Sequence, residues 1–190
     1  MRGPIDGVET LLRQLKAHVP EGAAEAAHLA TIITFVSSHE RPFDRGIPEG
    51  HLTGSAFVLS PDGRRVLLLH HRKLDRWLQP GGHAEAGESA GEEVALREAR
   101  EETGIEALSL HPTASRPFDV DVHAIPAHGR DPAHLHLDLR YVVIAAEDAP
   151  LLRSAKETNS LQWFDWDALG DLGLDRGLQR GLAKARRLFS

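Results

Sequence analysis

The chain has 190 residues, 41% of them apolar and 26% charged, which suits one domain with an appendage and excludes both two full domains and wholesale disorder. Its 28 acidic and 22 basic side chains give a formal net charge of -6, which excludes a binder of nucleic acid or acidic membrane over its whole surface. With no cysteine, it has no disulfides, thiolate nucleophiles, iron–sulfur clusters or cysteine zinc sites. The first residues hold no signal-peptide core, and the longest mainly apolar stretch, at 29–36, falls far short of a membrane span, so a cytoplasmic protein is the expectation.

Ile5, Val8, Leu11, Leu12, Leu15 and Val19 recur at helical spacing until Pro20 stops the run. A second apolar helix is predicted over 23–38, with Leu29, Ile32, Ile33, Phe35 and Val36. Residues 1–45 therefore read as a helical hairpin, too small to bury its own core, which must pack on the rest of the chain or on a second copy in a homodimer. The Pro- and Gly-rich stretch 41–50 marks the boundary to a main domain over 50–190. There, 53–59 and 65–70 read as strands about the turn Pro61-Asp62-Gly63. Pro80-Gly81-Gly82 reads as a loop, 91–103 as a helix that Gly104 ends, and 105–110, 117–125 and 135–146 as strands. A last helix is predicted over 177–189, and the order of elements suggests an α+β domain built as an α/β/α sandwich.

The chemistry concentrates in 81–105, GGHAEAGESAGEEVALREAREETGI. Glu98, Glu101 and Glu102 are spaced three and four apart, which puts three carboxylates on one helical face, with Leu96, Ala99 and Thr103 turned inward. Like charges at these spacings cost a helix about 0.2–0.5 kcal/mol per pair, and the negative end of the helix dipole adds to the penalty. A divalent cation reverses both, and hard Mg2+ or Mn2+ suits oxygen ligands. The plainer reading is a solvated acidic face. The adjacent Pro80-Gly81-Gly82, which lets backbone approach a ligand, and an Arg97–Glu88 clamp favour the metal.

This stretch resembles the signature of the Nudix hydrolase superfamily, Gly-x5-Glu-x7-Arg-Glu-U-x-Glu-Glu-x-Gly-U with U a bulky apolar residue. Gly82, Glu88 and the run Arg97-Glu98-Ala99-Arg100-Glu101-Glu102-Thr103-Gly104-Ile105 carry the match, and Trp77-Leu78-Gln79-Pro80 before it is similar to the family as well. The chain departs by one extra residue between Glu88 and Arg97, within 89–91, and by Ala99 where a larger residue is usual. The resemblance implies a Nudix-type mixed sheet. It also implies Mg2+ or Mn2+ on Glu98, Glu101, Glu102 and the Gly82 carbonyl, with Glu98 or Glu101 as base toward water and Arg97 in the catalytic set. The implied reaction is hydrolysis of a phosphoanhydride in a nucleoside diphosphate-linked compound, of the nucleoside triphosphate or nucleotide sugar type. The alternative is a module that binds a nucleotide without cleaving it. A further loop carboxylate is expected from Glu147, Asp148 or Glu157, with Glu157 favoured.

For substrate contacts, Asp119, Asp121 and His123 share one strand face, as do His134, His136, Asp138 and Arg140. An antiparallel pairing of the two strands would set Asp119 against Arg140 and His123 against His136. Asp121, His123, His136, Asp138 and Arg140, with His83 after Gly82, are candidates to line a substrate pocket or hold a second metal; a solvated sheet face is the plainer alternative. The expected partner is a nucleotide, with no nucleic acid and no membrane.

Overall fold

A computed structural model of the chain describes residues 4–127, 129, 132–146, 151 and 158–189. Its helices are α1 (Pro4–Lys16), α2 (Gly22–Ser38), α3 (Gly91–Thr103) and α4 (Arg176–Arg186). The strands are β1 (Gly50–Leu59), β2 (Arg65–His71), β3 (Arg76–Leu78), β4 (Gly81–His83), β5 (Leu108–Leu110), β6 (Asp119–Ile125), β7 (His134–Ala145) and β8 (Thr158–Asp165). A 3-10 helix over Trp166–Leu172 joins β8 to α4. Among the described residues, no helix is long and apolar enough to cross a membrane.

The strands form one mixed sheet along the path β3-β2-β1-β7-β5, with β4 on β1, β6 on β7 and β8 on β2. Its centre is the parallel pair β1–β7, in register from Gly50↔Leu135 to Leu59↔Ile144. Every residue of β1 is buried. The period of two along the strands splits the apolar residues into two cores. Ala56, Val58, Leu137, Leu139 and Tyr141 join Val94, Ala95 and Ala99 of α3 in one, while Phe57, Leu59 and Val142 join Leu178, Leu182 and Ala185 of α4 in the other. This is the expected α+β sandwich.

Some elements depart from the sequence reading. Gly81–His83 is strand rather than loop, paired to β1 through Thr53↔His83, Gly54↔Gly82 and Ser55↔Gly81. Residues 76–78 and 158–165 are strands that the sequence did not signal, each paired to β2. The first helix ends at Lys16 instead of running to Pro20, and Val19, expected on its apolar face, is 81% exposed. The chain turns after Lys16 to bring His18 onto Glu25 of α2, with Nε2 2.8 Å from the carboxylate.

The hairpin finds its burial within the chain. Leu11 and Leu15 of α1 and Leu29, Ile32 and Val36 of α2 share the core that α3 packs into. The 41–50 stretch is packed too: Phe43 is buried, and Leu52 donates its N–H to the Pro42 carbonyl at 2.8 Å.

Candidate active site

Strand β4 and helix α3 meet through side chains that only small residues admit. The Glu98 carboxylate lies against the Cα of Gly82, where any Cβ would stand 2.5 Å from Oε1. Gly81 donates its N–H to Glu102 Oε2 at 2.9 Å. Glu102 is therefore buried, turned further inward than a shared solvent face with Glu101 would require, whereas the Glu101 side chain is 55% exposed. Ala99 and Thr103 are fully buried behind it, as the spacing predicts. Gly104 ends the helix in the left-handed conformation, φ 70°, with its N–H on the Arg100 carbonyl.

Arg97 ties the loop to the helix. Its Nε and Nη2 grip both oxygens of Glu88 at 2.9 and 3.1 Å. Nη2 also donates to the His83 carbonyl at 2.6 Å and to Glu98 Oε1 at 3.1 Å, and Nη1 reaches Glu101 Oε2 at 3.2 Å. Glu88 is closed from its own side as well, accepting the Glu85 N–H at 2.8 Å. Burial opposes the Glu88 carboxylate, but these hydrogen bonds outweigh it and hold the group below the usual range. Arg97 is held above its ordinary value: burial again works the other way, and the carboxylates prevail. Helix α3 begins at Gly91, and the clamp between Arg97 and Glu88 forms across the longer spacing of this chain.

The pairing of β6 with β7 has the predicted register, Asp119↔Arg140 and His123↔His136. The polar face it makes is largely sealed rather than solvated, and it divides into two ends. At one end Asp119, Asp121, Asp138 and Arg140 are buried. Asp138 accepts from Thr53, Ser55 and Arg140 at 2.7–3.0 Å. Arg140 also reaches Asp119 and Asp121, each at 3.2 Å. Helix α4 covers this end with Arg180, bidentate to Asp119 at 2.9 Å, and with Lys184, which bridges Asp119 and Glu25. Burial opposes the Glu25 carboxylate, but His18 and Lys184 bring it down to about 2. Asp121 likewise lies far below its ordinary range against the cost of burial, through His123 and Arg140. Of the residues expected at the substrate, Asp121 and Arg140 are thus tied into the packing of α2 and α4 on the sheet, and Asp138 is bonded within it to Thr53, Ser55 and Arg140.

The other end is made of imidazoles. His83 of β4 and His136 of β7 meet Nε2 to Nε2 at 3.1 Å, and His134 Nε2 approaches His136 Nε2 at 3.3 Å. His123 packs edge-on to His136. His51 of β1, which the sequence reading missed by starting that strand at Thr53, lies opposite His136 in register. The missed signal was parity, since His51, Thr53 and Ser55 alternate with the apolar residues of β1. Burial pushes His51 and His83 down to about 4 and His136 to about 2, with the crowding of neighbouring imidazoles adding to it. These rings are neutral at pH 7. Glu147, Asp148 and Glu157, the expected loop carboxylates, lie outside the described residues.

The donor set beside Arg97 fits a hard divalent ion. Glu98 lies against the Gly82 backbone and Glu102 accepts the Gly81 N–H where β4 crosses α3, and carboxylate and carbonyl oxygens are donors of the kind Mg2+ takes.

Comparison with known proteins bears on the family and the fold. The NUDIX domain family model matches residues 50–186. A Mycobacterium tuberculosis protein named putative 8-oxo-dGTP diphosphatase 3 is 29% identical over 154 residues, covering 75% of this chain and 66% of that protein, so the match spans just under two thirds of the relative's length. A NUDIX-family hydrolase from Clostridium perfringens superposes with a TM-score of 0.55 at 24% identity, covering 75% of this chain and 99% of that one. The E. coli dihydroneopterin triphosphate pyrophosphohydrolase does so with 0.57 at 20% identity, over 70% and 92% of the two chains. Both structures share the fold of this one.

Proposed function

The chain belongs to the NUDIX family, and from that premise we propose that it hydrolyses a phosphoanhydride bond in a nucleoside diphosphate-linked compound, with Mg2+ or Mn2+ held by Glu98, Glu101, Glu102 and the Gly82 carbonyl. The observation that carries this reading is the Arg97 clamp, which fixes Glu88, Glu98, Glu101 and the β4 backbone about one point despite the longer loop. A bound divalent ion screens the phosphate charge and acidifies a coordinated water. The chain's own part is orientation and proton handling. Arg97 holds the carboxylates in place, and Glu98 or Glu101 accepts the proton of the attacking water. Glu101 suits that task because its side chain is the most open of the three carboxylates. Glu157 stays a candidate for a further acid contact from the loop before β8. Of the residues expected to touch substrate, His83 of β4 follows Gly82 and His136 meets it, which favours these two over the sealed Asp121, Asp138 and Arg140, with the exposed His123 one strand further out.

The name of the mycobacterial relative puts purine deoxynucleoside triphosphates first among substrates to try, with nucleotide sugars next. A panel of such compounds is assayed with Mg2+ and with Mn2+ for release of pyrophosphate, phosphate or nucleoside monophosphate. Metal-dependent turnover that Glu101→Gln removes supports the reading. A folded chain that turns over no member, with either metal, overturns it and leaves the non-catalytic binding module. That rival derives from the extra residue between Glu88 and Arg97, and the two residues meet in spite of it.

A further inference from the structure

We propose that His51, His83 and His136, with His134 as a fourth imidazole, form a site for a borderline divalent transition ion, Zn2+ in the first instance, separate from the carboxylates that take the hard ion. One ring-nitrogen atom from each of the first three lies within 4.8 Å of the others. The rings come from three strands, β1, β4 and β7, and β1 is paired to both of the others at this level, so the backbone sets their spacing.

Hydrogen bonding alone does not account for the arrangement. His51 is 3% exposed, and neither of its ring nitrogens has a hydrogen-bond partner among the described residues. Leaving a buried polar group unpaired forfeits its hydration with nothing in return. His136 Nε2 presents the opposite problem, with two imidazole nitrogens, those of His83 and His134, at 3.1 and 3.3 Å. A neutral imidazole nitrogen carries either one N–H or one lone pair, so it satisfies one such neighbour and not both. A cation that takes a lone pair from each ring resolves both.

The distances fit as well. Two nitrogens bound at about 2.0–2.1 Å to a tetrahedral zinc stand about 3.3 Å apart. The His83–His136 and His134–His136 separations already match that spacing, and a rotation of the His51 ring, whose centroid is 5.0–5.1 Å from the other three, completes the set. His134 is oriented for the task, because its Nδ1 meets the Pro132 carbonyl at 2.9 Å and leaves Nε2 to face His136. Imidazole ligands select Zn2+, Co2+ or Ni2+ over Mg2+, so the all-oxygen set across Gly82 and this all-nitrogen set take different ions. An ion here clasps β4, the strand that carries Gly82, to β1 and β7.

The test uses the full chain, stripped with a chelator and titrated with Zn2+ and with Co2+ in excess Mg2+. The expected result is one Zn2+ per chain by calorimetry, a higher melting temperature with Zn2+, and the intense visible absorption of low-coordinate cobalt. His136→Ala is expected to weaken Zn2+ binding by more than the roughly 10- to 100-fold that loss of an outer partner costs, and to abolish the thermal shift. Glu101→Gln is expected to leave both unchanged. Because His136 is largely enclosed, His83→Gln serves as a second variant, and binding is compared only among chains whose circular dichroism matches the wild type. Zn2+ uptake that survives both histidine variants but is lost in Glu101→Gln overturns the proposal. So does a faint six-coordinate cobalt spectrum, or a folded wild type that takes up no Zn2+.

Discussion

Two arginines in this molecule are each ringed by three carboxylates, and they do different things. Arg97 meets Glu88, Glu98 and Glu101 at the edge of the sheet, where its own side chain is 20% exposed and Glu101 is 55% exposed. Arg140 meets Asp119, Asp121 and Asp138 with 4% of its side chain exposed. Around Arg140 the carboxylate oxygens are taken up by Thr53, Ser55, Arg180, Lys184 and His28. Around Arg97 the Glu98 carboxylate lies against the Gly82 backbone and Glu101 opens outward. The same ion stoichiometry thus gives a packing joint where helices cover it and an accessible acidic face where a strand end leaves it open. Enclosure decides which, because a buried ion pair must satisfy every lone pair internally, whereas an open one can share its oxygens with a metal or water.

The sharpest way to separate the two regions is to remove one charge from each. Glu101→Gln is expected to lower kcat about 100- to 10,000-fold, the usual worth of a positioned general base, while the urea midpoint stays near wild type. Arg140→Met is expected to do the reverse. It removes the cation that three buried aspartates share, which Arg180 and Lys184 replace only at Asp119, and should cost about 3–5 kcal/mol in urea unfolding, or prevent folding at 37 °C. Arg97→Ala sits between them: its clamp is partly exposed, so stability should change by about 1 kcal/mol or less while turnover falls sharply. If Arg140→Met unfolds no more readily than Arg97→Ala, the buried group is not a packing joint.

The sequence made one of these regions far more legible than the other. The Arg97 face is written on one helix and the loop before it, where spacing alone relates Glu98, Glu101 and Arg97, and helix α3 begins and ends where the reading put it. The Arg140 group could be paired on paper only as far as β6 and β7, which gave Asp119 against Arg140. Its sealing depends on Glu25, His28, Arg180 and Lys184, from helices up to 159 residues apart in the chain, and no local pattern announces those contacts. The imidazole cluster was legible in part for the same reason. His136 and His123 could be matched across a hairpin, but the parallel pairing of β1 with β7, which brings in His51, is a long-range event. Short strands such as β3 and β4 were invisible because three residues carry no period.

The acid response should tell the two ends of the polar face apart. His51 and His83 titrate at about 4 in the fold and His136 at about 2, all below the ordinary 6.5. Between those values the unfolded chain binds the extra protons, so stability is full above about pH 6.5 and declines as pH falls toward 4. Glu25, lowered from 4.5 to about 2, acts later: its contribution is complete above about pH 4.5 and is lost as pH falls toward 2. The charges facing His51 are Arg45, Asp44 and the imidazoles around it. Thermal melts from pH 7 to 3 are expected to show two successive losses. His83→Gln should reduce mainly the upper one, and Lys184→Met the lower. A single transition unaffected by His83→Gln would mean that the imidazoles are not held neutral by the fold.

The smallest effect concerns how the open face is delimited. Gly104 stops α3 at φ 70°, a conformation that costs an L side chain about 1–2 kcal/mol. Its N–H caps Arg100, whose guanidinium in turn reaches the carbonyls of Glu106 and Leu108. Gly104→Ala should therefore lower stability by about 1 kcal/mol. It should leave KM unchanged, because the strain falls after the last carboxylate and away from Gly82. Gly82→Ala makes the informative contrast. Its backbone is not in the left-handed region, so conformational strain predicts no loss, yet its Cβ would meet Glu98 Oε1 at 2.5 Å and push that carboxylate off β4. Weaker Mg2+ dependence in Gly82→Ala, with wild-type metal dependence in Gly104→Ala, would place the ion at the strand–helix crossing. Equal effects from the two would mean that the helix end, and not the contact between Gly82 and Glu98, shapes the face.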